Sequence, residues 1–205
     1  MKTFKFFFIA ILSLTILSAC EKSADEPLLN EDLLQIEDDN GNLNANYRGQ
    51  RSIPFKSDFY TLMNYDSVGN CTEDPYNSFN YQVGEGNGTH LGLFTTTMTF
   101  CTDFNTFTYK NGQGVFVAAN GDELYFWVPS PDSIGHILPY VHPVYDFQFQ
   151  DPFTFNGGTG RFEGATGGGM TNSFVNLFDD DGNPIPEFRT DHEWTGTLIL
   201  PKKSK

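Results

Sequence analysis

Between Leu93 and Phe104 the apolar residues Phe94, Met98 and Phe100 are interleaved with Thr95, Thr97 and Thr99. A period of two predicts a strand with one face buried. The same alternation runs through Tyr145, Phe147 and Phe149 against Asp146, Gln148 and Gln150, and Phe153 and Phe155 carry it past Pro152. Phe55 to Tyr65, Phe79 to Gly84 and Trp194 to Leu200 are further β-prone runs. VFVAA, Asn120-Gly121 and DELYFWV predict a hairpin, because Asn-Gly supplies the positive φ angles of a type I′ turn. Pro129 to Pro143 holds four prolines and predicts a long loop, as does DDDGNPIPEF, residues 179–188. Asn156 to Gly169, NGGTGRFEGATGGG, carries seven glycines; it is too glycine-rich for a helix and reads as one strand entered through a turn at Asn156-Gly157. The expected fold is all-β: a single antiparallel up-and-down β-barrel of about eight strands, with a sandwich as the alternative. Closure is favoured because it leaves no exposed edges and because glycine suits tightly coiled strands.

The first residues follow another pattern. Lys2 and Lys5 precede an apolar run from Phe6 to Leu17, too short for a comfortable membrane span and shaped like a secretory signal. Leu17, Ser18, Ala19 and Cys20 resemble the lipobox of bacterial lipoprotein precursors, which implies cleavage before Cys20 and acylation of its thiol and new amino group. The expected organisation is a signal peptide at 1–19, a lipidated acidic tether at 20–51 and the barrel at 52–201. A flexible tether of this length holds a domain on the order of 30 Å from the lipid. Its acidic start resembles the export signals of surface lipoproteins in Bacteroidetes-type bacteria. The expected location is therefore the cell envelope, lipid-anchored at the outer membrane, on its periplasmic or surface face.

Composition reinforces the strand reading, with 21 Phe, 9 Tyr, 20 Gly and 11 Pro. The net charge of -14 repels phosphate backbones, so nucleic acid is excluded as an expected partner, and an anionic membrane would not hold the chain by charge.

The glycine segments Gly84 to Gly92 and Gly157 to Gly167 resemble those of β-barrel proteins similar to allene oxide cyclase and plant dirigent proteins. The most specific part is Gly158, Thr159, Gly160, Arg161, Phe162, Gly164, Ala165 and Gly167. The resemblance implies an eight-stranded antiparallel barrel around an apolar cavity that converts or orients a small hydrophobic ligand without a cofactor, often as a dimer or trimer.

Neither glycine segment suits a nucleotide, since no helical pattern follows either run, and G-x-S-x-G is absent. Cys71 and Cys101 read as a disulfide in an envelope compartment, closing a loop of about thirty residues and stabilising by roughly 3–4 kcal/mol; two free, buried thiols are the other reading. His90, His136, His142 and His192 are spread singly, without metal-ligand spacing. His90 sits among glycines on an expected barrel strand, as a structural or a catalytic group. Arg161 and Glu163, two apart on the expected glycine strand, share a face, either as a surface pair or as a polar pair that orients a ligand inside the barrel. Asp179, Asp181 and Asn183 offer oxygen ligands for Ca²⁺ but lack the EF-hand spacing, so a solvated turn is the simpler expectation. The expected function is that of an envelope lipoprotein whose barrel is a binding or structural module. The alternative is a cofactor-free isomerase, cyclase or dirigent-like enzyme acting on a small hydrophobic molecule in the barrel cavity.

Overall fold

Ile53, Phe55, Phe59 and Met63 point inward and alternate with exposed neighbours along the first strand. The sequence period of two is here the period of a barrel wall. The computed structural model describes residues 50–65 and 69–201; the signal segment, Cys20 and the tether as far as residue 49 lie outside the described residues. In chain order the strands are β1 (Gln50–Met63), β2 (Ser78–Gly88), β3 (Gly92–Asp103), β4 (Thr108–Ala118), β5 (Glu123–Trp127), β6 (Gly135–His136), β7 (Leu138–Pro139), β8 (Phe147–Phe149), β9 (Pro152–Gly158), β10 (Thr166–Met170), β11 (Ser173–Val175) and β12 (Arg189–Pro201). β1 opens at Gln50 rather than Ser52, because Gln50 and Arg51 pair with Pro201 and Leu200.

Strands β1, β2, β3, β4, β5, β9, β10 and β12 pair antiparallel in that order, and β12 returns to β1 from Leu62↔Arg189 to Gln50↔Pro201. The result is the expected closed eight-stranded barrel, with the edge-strand problem removed by closure. The remaining strands belong to two long connections. β11 pairs with β12 beyond the end of β10, β8 pairs with β11, β7 with β8, and β6 with β4. The proline-rich stretch is therefore not wholly loop: Gly135–His136 and Leu138–Pro139 find partners, since two-residue pairings tolerate neighbouring prolines. The alternation from Tyr145 to Phe155 is also two strands. Between them the chain changes partner at Asp151, whose carboxylate accepts the hydroxyl of Tyr109 at 2.8 Å and the His136 N–H at 3.1 Å.

Turn chemistry departs from expectation in two places. At Asn120-Gly121 only the glycine has positive φ (+84°). Gly121 N–H bonds to Ala118 O and Ala118 N–H to Asp122 O, which makes a three-residue loop of a type I turn followed by a left-handed glycine rather than a type I′ turn. Asn156-Gly157 is not a turn. It is a bulge inside β9, where Leu124 faces Gly158 but Phe126 faces Phe155, and Gly157 takes φ +108° to absorb the extra residue. The chain reverses later, through a 3-10 turn at Gly160–Phe162, so the expected single glycine strand is the end of β9, a turn and β10.

Two of the strand glycines make room for rings of the interior. Gly86 lies opposite inward-facing Phe59 and Phe94, and Gly114 opposite Phe126. A Cβ at either position would overlap a side chain of that core. Glycine on one strand thus leaves the volume that a ring on the next one fills, the small-and-large complementarity by which narrow barrels close. Phe55, Phe116, Phe126, Phe153, Phe155 and Trp194 occupy the centre. Phe162, fully buried at the tip of its turn, closes the end formed by the short hairpins. Ile137, Val175 and Leu177 from the two connections join the core at the opposite end. There Cys71 and Cys101 form a disulfide, with Cα atoms 5.8 Å apart.

Candidate functional site

Polar residues at inward positions form a directed hydrogen-bond chain near the end of the barrel where the two connections join the core. The Thr61 hydroxyl donates to Gln82 Oε1 at 2.6 Å, so its oxygen accepts from His192 Nε2 at 2.9 Å. A neutral imidazole carries one N–H, which leaves His192 Nδ1 to accept from the Ser173 hydroxyl at 2.8 Å. Ser173 Oγ in turn accepts from Trp194 Nε1 at 3.2 Å. The ring of His192 stacks on Phe59 with centroids 4.3 Å apart. Desolvation pushes its pKa from the ordinary 6.5 down to about 3, against a weaker upward pull from Asp191. Gln82, Ser173, Thr190, His192 and Trp194 border a cavity of about 30 Å³, room for a single water. This cavity cannot admit a small hydrophobic molecule.

The large concavity lies outside the wall. A groove of about 1060 Å³ runs over the outer face of β12, β1, β2, β3 and β4, flanked by the connection that carries Tyr140, His142 and Tyr145 and by Phe174 of β11. Alternation explains the floor: the neighbours of inward Phe59, Phe94 and His192 point out, placing Tyr60, Glu85, Leu93, Asp191 and Glu193 on one surface. The wall is a set of near-parallel rings, Tyr140 on His142 at 5.3 Å, His142 on Tyr145 at 5.4 Å and Tyr145 on Phe174 at 5.3 Å. Wall and floor are tied together. The Tyr145 hydroxyl donates to Asp191 Oδ2 at 2.9 Å, Arg189 donates to Asp191 Oδ1 through Nε at 2.9 Å and Nη2 at 2.6 Å, and the guanidinium lies 4.2 Å above the Tyr60 ring. The Tyr60 hydroxyl donates to Glu85 Oε1 at 3.1 Å. The bond to Glu85 raises the Tyr60 pKa, while burial first and the bond to Asp191 second raise that of Tyr145. Both phenols stay protonated donors.

The candidates read from the sequence lie elsewhere. His90 is exposed at the β2–β3 turn with φ +65°, not on a strand facing the interior. Arg161 and Glu163 sit on the reversal after β9, both exposed, rather than side by side on one strand face. Arg161 reaches Leu91 O at 3.4 Å, Asn120 Oδ1 at 3.5 Å and Asp122 Oδ2 at 3.5 Å, and so binds the hairpin-end turns together. The Asp179 carboxylate is turned onto its own loop. It accepts the N–H groups of Asp181 at 3.0 Å and Asn183 at 2.8 Å and also the Asn183 side-chain amide, so Asp179, Asp181 and Asn183 form a turn and not a ring of oxygens. Among the described residues no group of three or more His, Cys, Asp or Glu is placed to hold a metal ion. Sequence reasoning missed His192 because it began the last strand at Trp194. The signal was present two residues earlier, where His192 shares the parity of Trp194 and Leu198. It missed the groove because Tyr60 and Arg189 are brought together only by barrel closure, and Tyr145 joins them only through the pairing of β8 with β11 and of β11 with β12. No family model, curated protein or solved structure matches the chain.

Proposed function

We propose that the chain is a lipid-anchored cell-envelope protein whose barrel is a rigid scaffold displaying a ligand-binding groove on its outer face. The supporting observation is the contrast between a ring-filled interior, whose cavity beside His192 holds about 30 Å³, and the groove of about 1060 Å³ against the outside of the wall. Sites that take up small apolar molecules enclose most of the ligand, which a ring-filled barrel does not do. A binding module is therefore favoured over an isomerase, cyclase or dirigent-like enzyme working in a barrel cavity. The anchor rests on Leu17-Ser18-Ala19-Cys20 and the preceding apolar run; several acyl chains hold a protein stably at a membrane.

Two measurements test this reading. Replacing Cys20 by Ser moves the protein from the membrane to the soluble fraction on cell fractionation; full retention in the membrane refutes the anchor. The soluble full-length Cys20→Ser chain, titrated with N-phenyl-1-naphthylamine, leaves the dye's emission unchanged. A saturable blue-shifted signal that survives Tyr145→Ala would mean an interior site and would restore the enzyme reading.

A further inference from the structure

We propose that the outer groove binds a neutral oligosaccharide, its C–H faces laid on the Tyr140, Tyr145 and Phe174 wall and its hydroxyls on the carboxylates and guanidinium of the floor; the proposal rests on the groove being the binding surface. A sugar ring offers an apolar face of C–H groups and a rim of hydroxyls that both donate and accept. Its recognition in water calls for aromatic rings already held in place and for polar groups of both kinds fixed beside them. The wall meets the first demand. Its rings stack on one another at 5.3 to 5.4 Å, so little side-chain freedom remains to be lost on binding, and tyrosine adds a hydroxyl to an apolar surface.

The floor meets the second. Each carboxylate is held by a donor of the chain itself: Asp58 by Lys56 Nζ at 3.4 Å, Glu85 by the Tyr60 hydroxyl at 3.1 Å, Asp191 by Arg189 and Tyr145, and Glu193 by Asn172 Nδ2 at 3.3 Å. Those bonds fix the acceptors before a ligand arrives and leave further lone pairs for hydroxyls. Arg189 uses Nε and Nη2 on Asp191, which leaves the Nη1 hydrogens as donors in a plane set by the Tyr60 ring. Lys56 and Arg189 compensate the charge of two of these carboxylates, so the groove is polar more than it is anionic.

Other ligand classes fit less well. A phosphate ester meets Glu85 and Glu193 uncompensated. An apolar molecule would stay wet along the open side of the groove. A polycation would be drawn by the overall charge of -14, but its affinity would collapse with salt, whereas hydroxyl bonding and stacking are nearly salt-independent.

The test is calorimetric titration of the full chain in a non-glycosidic detergent with maltohexaose, cellohexaose, chitohexaose and mannohexaose, and separately with spermine, at about 50 mM and about 500 mM NaCl. At least one oligosaccharide binds with an affinity that changes less than about twofold between the two salts, and Tyr145→Ala and Glu85→Gln each weaken it about tenfold with an unchanged circular dichroism spectrum. Absence of binding by all the oligosaccharides overturns the proposal. Spermine binding that is lost at high salt and on Glu85→Gln overturns the sugar while keeping the groove. Oligosaccharide binding untouched by either variant overturns the groove itself.

Discussion

Replacing Trp194 by Ala lowers the unfolding free energy of the full chain by about 3–5 kcal/mol, read as a shift of the urea midpoint at constant slope. Trp194 is 1% exposed. Its indole stacks on Phe153 at 4.8 Å and meets Phe126 edge-on at 5.0 Å, Phe59 at 5.3 Å and Phe116 at 5.7 Å. Every one of these rings is itself pinned by strand pairing, so the wall has little freedom to collapse into the space left behind. The substitution also strips Ser173 Oγ of the Trp194 N–H, leaving a buried acceptor short of a partner. Leu93→Ala, on the exposed outer face, is the control and changes stability by no more than about 0.5 kcal/mol. A loss below about 1 kcal/mol for Trp194→Ala would mean that the interior is not close-packed, and the outer groove would lose its standing as the principal concavity. The same variant should gain uptake of an apolar dye that the natural barrel refuses, since dry cavities of this kind bind aromatic guests.

The barrel was legible because its information is local. Alternation in Phe94 to Phe100 and in Phe153 to Phe155 marks inward faces directly, and both runs sit in walls as expected. Where reading failed, the deciding quantity was not local. Asn-Gly at 156–157 has the chemistry of a turn, but β5 on one side and β10 on the other keep the chain in the sheet, so the left-handed glycine becomes a bulge. The run from Gly164 to Gly169 is similar. Its glycines looked like an adaptation to coiling, and the register places Gly167, Gly168 and Gly169 where a Cβ would meet the backbone of β12 or β9, so what they permit is the close approach of neighbouring strands.

The groove lay further beyond sequence. Tyr60 and Arg189 are separated along the chain by nearly the whole domain and meet only because β12 pairs with β1, with Tyr60 opposite Asp191. His142 lies in a stretch read as loop and Tyr145 at the head of one read as strand, and their rings acquire meaning only against Phe174. His90, Arg161 and Glu163 drew attention for being polar among glycines, yet that context marks turns at the hairpin end, where Arg161 ties strand connections together instead of facing a ligand.

Stability falls by about 1.4 kcal/mol per pH unit between pH 6 and pH 5, and the slope belongs to His192. The sign follows from which state binds the proton. Unfolded, the imidazole titrates near 6.5; folded, desolvation holds it neutral down to about 3. Between those values the unfolded chain carries the extra proton, so acid favours unfolding, and the whole interval is worth on the order of 5 kcal/mol. Carboxylates whose pKa is lowered by hydrogen bonding, Glu73, Asp103 and Asp179, lose their contributions only as pH drops below their ordinary values of 4.5 and 3.8, beneath the chosen window. Asp151 acts with the opposite sign, because burial raises its pKa and the folded state takes up that proton first; Asp151→Asn therefore steepens the curve. His192→Gln flattens the slope between pH 6 and pH 5 whatever it does to stability at pH 7. Nitrogen-15 spectra of the natural chain should hold the Nε2–H tautomer through that window, the form set by Thr61, Gln82 and Ser173. A His192 that protonates near 6.5 in the folded protein, or a slope that persists in His192→Gln, would show that water reaches the interior and that the polar chain is not sealed by the rings around it.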